Sequence, residues 1–168
     1  MKKIKIAGYQ GKESVHTKSI NEFISLINQK FSVSFMEDIT SHNKKASELI
    51  NQTQIGEIDV TYLFSSYFTD LIPELMYLDL PFYFKDKNEA FKQLDMRLKR
   101  FIYNELKNIH NLILLGFWDN GTRHISSSKN FINRPEDCKG QIIRTTPNKL
   151  HIDTFKTFGF IPKPLDVL

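Results

Sequence analysis

The chain has 168 residues, 40% of them hydrophobic and 25% charged, with seven glycines and six prolines. That composition excludes a disordered or fibrous polypeptide, and the length suits one core, or one domain and the beginning of another. The net charge of +4 comes from lysines spread along the chain, with neither a basic stripe nor interleaved base-stacking aromatics; this argues against a nucleic-acid surface and suits the attraction of small anions.

The start, MKKIKI, has the basic opening of an export signal, but Tyr9, Gln10 and Lys12 interrupt the apolar run that should follow, so no signal peptide is visible. Alternation over Lys3–Ala7 predicts a first strand, and Gly8–Ser14 reads as a polar loop. Ile20, Phe23, Ile24 and Ile27 then recur at i, i+3, i+4 and i+7, an apolar stripe for a helix lying on a sheet. Phe31, Val33 and Phe35 alternate with polar neighbours as a second strand. A polar helix over Asn43–Gln54 should turn Ala46, Leu49 and Ile50 inward and stop before Gly56, and a third strand should run from Ile58 to Phe64. This β-α-β-α-β order implies a parallel sheet, because parallel neighbours need a crossover connection.

Ser65–Phe84 is aromatic and loop-rich, since Pro73 and Pro81 deny it continuous regular hydrogen bonding, and Phe82, Tyr83 and Phe84 read as core. Lys87–Ile109 carries apolar residues at helical spacing, as a helix pair or one bent helix. Asn111–Trp118 is nearly all apolar and predicts a strand buried on both faces that delivers Trp118 to the sheet's edge. Beyond it the pattern restarts, with a strand at His124–Ser127, a turn at RPEDCKG, a strand at Gln141–Thr145 and a helix at Leu150–Phe158. A crossing near 126–130 therefore separates a first α/β lobe, 1–125, from the start of a second, 126–168, which one helix cannot complete. Cys138 is the single cysteine, which excludes a disulfide framework and a CxxC metal or redox motif.

The chemistry concentrates in FWDNGTRH and GQIIRTTP. Arg123 and Arg144 are placed to meet a small anion, and Trp118 and Asn120 offer stacking and orientation to a polar organic ligand. Arg144 lies where strand gives way to loop, the position at which open α/β sheets gather ligands. Taken singly, each arginine reads more readily as an ordinary surface or ion-paired residue, and the company of Trp118, Asn120 and Gly121 shifts the balance toward a ligand. No catalytic constellation stands out: His16, His42, His110, His124 and His151 show neither HExxH nor close metal-ligand spacing, and GYQGKES lacks the spacing of a phosphate loop. The expectation is a non-enzyme without metal or cofactor.

LDLPFYF, FWDNGTRH, RPEDCKGQIIRTTPN and DTFKTFGFIPKPL, in that order, closely resemble the substrate-binding proteins of TRAP (tripartite ATP-independent periplasmic) transporters, the DctP type. The resemblance runs through essentially the whole chain. It implies a periplasmic-binding-protein-like (type II) two-lobed α/β fold, with the first lobe largely present and the second incomplete over these residues. It also implies an extracytoplasmic solute receptor that captures a small carboxylate, of C4-dicarboxylate or sugar-acid type, and hands it to membrane permease subunits. The family's carboxylate-pairing arginine falls on Arg144, and a second basic ligand residue of some members falls on Arg123. Thr146 and Asn148, Ser65, Ser66 and Tyr67, and Tyr9 with Gln10 stand where the family lines its cleft. Turn chemistry or packing is the ordinary alternative for those residues, notably Ser65 and Gln10. Thr122 stands where many relatives carry an aromatic residue, which bears on the pocket wall. Sheet edges left open are expected to favour self-association. A cytoplasmic ligand-sensing effector domain of similar build is the competing reading, although no helix-turn-helix segment precedes the first strand.

Overall fold

A computed structural model describes residues 1–128 and 131–165. The described chain forms two compact units, one of Met1–Leu63 with His110–Leu112 and one of Phe64–Ile109 with Ile113–Leu165.

In the first unit, strand β1 (Lys2–Ala7) pairs in parallel with β2 (Phe31–Met36) on one side and with β3 (Val60–Thr61) on the other, giving the order β2-β1-β3. Helix α1 (Val15–Ile27) begins at Ser14, whose extended backbone and hydroxyl, accepting from His16 N at 3.1 Å, make a regular N-cap. Its predicted stripe holds, with Ile20 buried and Phe23, Ile24 and Ile27 half-buried. Helix α2 (Glu48–Gln54) starts later than expected, because Asn43 is left-handed (φ 58°) and closes a separate 3-10 turn at Ile39–His42. Ala46 and Leu49 are fully buried, and Gly56 at φ 78° ends the run as predicted.

The third strand is shorter than the sequence suggests. Beyond Thr61 it has no partner on β1, which ends at Ala7 as Gly8 N turns to donate to Met36 O at 2.8 Å. At its start Asp59 Oδ2 accepts from Lys5 N at 2.7 Å.

The second unit opens with two 3-10 segments, Ser65–Phe68 and Pro73–Asp79. One helical run follows: α3 (Lys87–Gln93), a π turn at Leu94–Leu98, and α4 (Lys99–Ile109). This settles the choice between a pair and a bent helix in favour of a single interrupted run. Asp86 caps it by accepting from Glu89 N, while Glu89 accepts from Lys85 N, both at 2.9 Å. Strand β4 (Ile142–Thr145), helix α5 (Lys149–Thr157) and strand β5 (Ile161–Pro164) form a parallel βαβ unit over a small core of Cys138, Phe155 and Phe160. The β5 strand was not foreseen, because Pro162 and Pro164 disguise it; proline suits a strand of which only one side is paired.

Two expected strands do not form. Asn111–Trp118 has no strand pairing, and within it Ile113 and Leu115 are 65% and 72% exposed. His124–Ser127 is exposed and likewise forms no strand. A continuous apolar run specifies a buried strand only when a ladder neighbour exists, and the described strands pair solely within β2-β1-β3 and β4-β5. Phe82 and Tyr83 also prove exposed rather than core, with Phe82 in a left-handed conformation (φ 59°) after Pro81. The expected division after residue 125 falls inside the second compact unit, because contacts from Asn148 and His151 tie the βαβ unit to residues 64–79. Residues 129 and 130, part of the expected crossing, and 166–168 lie outside the described residues.

Candidate ligand-binding site

β1 and β3 are neighbours in the order β2-β1-β3, and the carboxyl ends of adjacent parallel strands are a preferred ligand position. Here Gln10 donates to Tyr9 Oη at 3.2 Å and accepts from Ser14 Oγ at 2.7 Å. Tyr62 lies beneath, with its hydroxyl 3.3 Å from Thr17 Oγ1 and its ring 5.7 Å from those of both Tyr9 and His16. Burial pushes the Tyr62 phenol up and the His16 imidazole down from their ordinary values, so both are neutral at pH 7. The first unit thus offers neutral hydrogen-bonding groups. Gln10 belongs to this cluster, apart from the other candidates in the second unit.

In the second unit Arg144 is exposed on β4, one residue before the strand's end, and its Nη2 donates to the Leu165 carbonyl at 2.6 Å. That bond directs the guanidinium without neutralising its charge. Thr145 and Thr146 behind it are buried; Thr145 Oγ1 has no hydrogen-bond partner among the described residues, whereas Thr146 Oγ1 lies 2.5 Å from His151 Nδ1. Arg123 is exposed, with its guanidinium 5.0 Å from the Phe64 ring centroid. The His151 ring stacks with Phe64 at a centroid distance of 6.2 Å. His151 Nε2 is 3.4 Å from Asp79 Oδ2, and neither atom has a hydrogen-bond partner among the described residues.

Asn148 is the N-cap of α5. Its Oδ1 accepts from His151 N at 3.3 Å and its Nδ2 donates to Thr69 Oγ1 at 3.0 Å, with the Ser66 carbonyl at 3.5 Å. This buried amide is committed to holding the helix start against the 3-10 segment that carries Ser66 and Tyr67. We expect Asn148→Ala to cost about 1–2 kcal/mol of stability, read as a lowered urea midpoint at unchanged slope.

The turn in FWDNGTRH is built by Asp119 Oδ1 accepting from Gly121 N at 2.8 Å, with Gly121 at φ 75°. Asp119 therefore shapes a turn rather than orienting Arg123, and it also lies 3.7 Å from Lys87 Nζ. Asn120 is exposed in that turn and Trp118 is 50% exposed. Phe64, Asp79, Thr69 and His151 were not anticipated as part of the group. A lone acid within LMYLDLPFYF was the available signal, because a carboxylate in apolar surroundings needs a buried partner.

Among the described residues no group of three or more His, Cys, Asp or Glu side chains could hold a metal ion, and no helix is long and apolar enough to cross a membrane.

Several known proteins share this architecture. The chain is 34% identical over 120 residues to the 2,3-diketo-L-gulonate-binding periplasmic protein YiaO of Escherichia coli, an alignment covering 71% of this chain and 36% of that protein. The sugar acid binding protein DctPAm from Advenella mimigardefordensis, in complex with galactonate, superposes with a TM-score of 0.90 at 25% identity, covering 99% of this chain and 54% of that one. A TRAP periplasmic solute binding protein from Sulfurospirillum deleyianum, with bound succinate, gives 0.86 at 28% identity, covering 98% and 53%. The chain thus spans about one third to one half of these relatives' length. The model of the bacterial extracellular solute-binding proteins, family 7 (DctP), matches residues 6–167, and with the βαβ order and the motifs described above this chain belongs to that family.

Proposed function

We propose that the protein containing this chain captures a small organic carboxylate outside the cytoplasm and delivers it to the membrane permease subunits of a TRAP transporter. The observation that carries this reading is Arg144, an exposed guanidinium at the C-terminal end of β4, oriented by one backbone carbonyl and free to offer its remaining donors to a carboxylate. A planar fork of donors matches a carboxylate in a bidentate pair, which a lysine ammonium cannot do. Arg123, laid on the Phe64 ring, supplies a second positive charge in the same unit. The galactonate and succinate of the two similar proteins are both carboxylates, which supports the ligand class.

The candidate residues are proposed to bind and orient the acid. Trp118, Asn120, Thr146, Asn148, Ser66 and Tyr67 are proposed as ligand-binding residues of the second unit, and Gln10 as a ligand-binding residue of the first. Open edges of the two described sheets are proposed to favour self-association.

Isothermal titration of the full-length protein against succinate, malate, galactonate and glucuronate tests the reading. We expect a dissociation constant of roughly micromolar or tighter for at least one acid, and no measurable heat with the corresponding neutral polyols. Equal affinity for an acid and its uncharged amide would overturn it.

A further inference from the structure

Arg123 stands in a stretch that forms no strand, two residues after the Gly121 turn, so no backbone ladder fixes where its long side chain points. Among the described residues no carboxylate is bridged to it. Its guanidinium meets an aromatic ring instead, with Cζ 5.0 Å from the Phe64 centroid. We propose that Phe64 is a positioning residue for anion capture: its ring holds the Arg123 guanidinium in place and leaves that group's charge and N–H donors for the bound carboxylate.

An aromatic partner has a chemical reason. A long arginine side chain gives up rotamer freedom when an anion orders it, which weakens binding unless the order is already present. A carboxylate of the protein could impose that order, but it would occupy the donors and offset the charge, the two things an incoming acid needs. The face of a phenyl ring attracts the cation through its quadrupole while carrying no net charge. The guanidinium is therefore held without being neutralised.

The ring is itself anchored. Phe64 precedes the 3-10 segment Ser65–Phe68 with an extended backbone (φ −60°, ψ 137°), and it stacks with the His151 imidazole at an interplanar angle of 22°. His151 is buried on α5, where its N–H donates to Asn148 Oδ1 and its Nδ1 contacts the Thr146 hydroxyl. Phe64 is half-buried, so packing fixes the ring and it still reaches the exposed Arg123. Phe64, Arg123 and His151 all belong to the second compact unit.

This inference rests on the carboxylate reading of the site. The test is a double-mutant cycle on the full-length protein, by isothermal titration with the tightest-binding of succinate, malate, galactonate and glucuronate. Arg123→Ala should bind that acid about tenfold or more weakly. Phe64→Leu, which keeps apolar bulk and removes the aromatic face, should bind about three- to tenfold more weakly, and Phe64→Tyr, which keeps the face, should stay within about twofold of wild type. In the Arg123→Ala background Phe64→Leu should cost no further affinity, although it should still lower the melting temperature. An equal loss of affinity in both backgrounds would mark Phe64 as packing alone and overturn the proposal, as would wild-type affinity in either Phe64→Leu or Arg123→Ala. Should Phe64→Leu not fold, the wild type decides by NMR. The ring current should displace the Arg123 Nε–H resonance upfield of the other arginines', with and without saturating acid; a resonance lying among the others overturns the proposal. Folded wild-type protein that binds none of the four acids would remove the carboxylate reading and this role with it, a result distinct from binding with equal losses in the two backgrounds.

Discussion

Arg144→Ala in the full-length protein should lose roughly a hundredfold or more in affinity for its acid, the scale for truncating one partner of a charge-assisted, hydrogen-bonded pair. The fold should be spared. Arg144 is exposed, and among the described residues its guanidinium bonds to the Leu165 carbonyl, so the stability change should stay within about 0.5 kcal/mol. Arg144→Lys should fall between, keeping the charge and losing the fork. Calorimetry beside thermal melts separates binding from folding; full affinity in Arg144→Ala would place the carboxylate elsewhere.

Gly8→Ala should produce the largest loss of stability from a single methyl group. A Cβ at Gly8 would sit 2.7 Å from Tyr62 Cε1 and Oη and 2.9 Å from the Glu37 carbonyl. The tyrosine could shift, at the expense of its contact with Thr17. The backbone could not, because Gly8 N donates to Met36 O at 2.8 Å and Gly8 O accepts from Ile39 N at 2.9 Å. We expect about 1–3 kcal/mol of destabilisation by overpacking. Gly116→Ala, with nothing within 4 Å of the added methyl, serves as the control and should be near neutral. Equal melting temperatures for the two variants would show that the β1 end is looser than its hydrogen bonds imply.

The parts of the fold that were legible in the sequence are those fixed by local periodicity. The α1 stripe at Ile20, Phe23, Ile24 and Ile27, the alternation of β2 and the stop at Gly56 all depend on neighbours within a turn or a pleat. The run at Asn111–Trp118 misled because its composition states a demand for burial and not the identity of a ladder partner. The β5 strand was hidden for the converse reason, since its partner β4 compensates for prolines that local propensity counts against. At the site, Arg144 and Arg123 were legible as charges beside turns, while their roles came from the resemblance to a family. Asn148 shows the limit most plainly. Asn148, two residues before Leu150, reads equally as a ligand donor or as a helix cap, and only the folded positions of His151, Thr69 and Ser66 reveal that its amide also caps α5. The Asp79–His151 contact joins residues far apart in sequence, which no period could announce.

Arg144 lies on β4 of the βαβ unit, whose helix is capped by Asn148 and whose Thr146 contacts His151, and its exposed guanidinium has donors to spare. A binding site gains affinity when its donors are held before the ligand arrives, because less ordering is left for the moment of capture. The most direct measurement is a crystal structure of the full-length protein with its tightest acid. A carboxylate accepting two hydrogen bonds from the Arg144 guanidinium is the predicted result; an acid bound with its carboxylate on other groups, Arg144 contacting only the Leu165 carbonyl, would contradict the account.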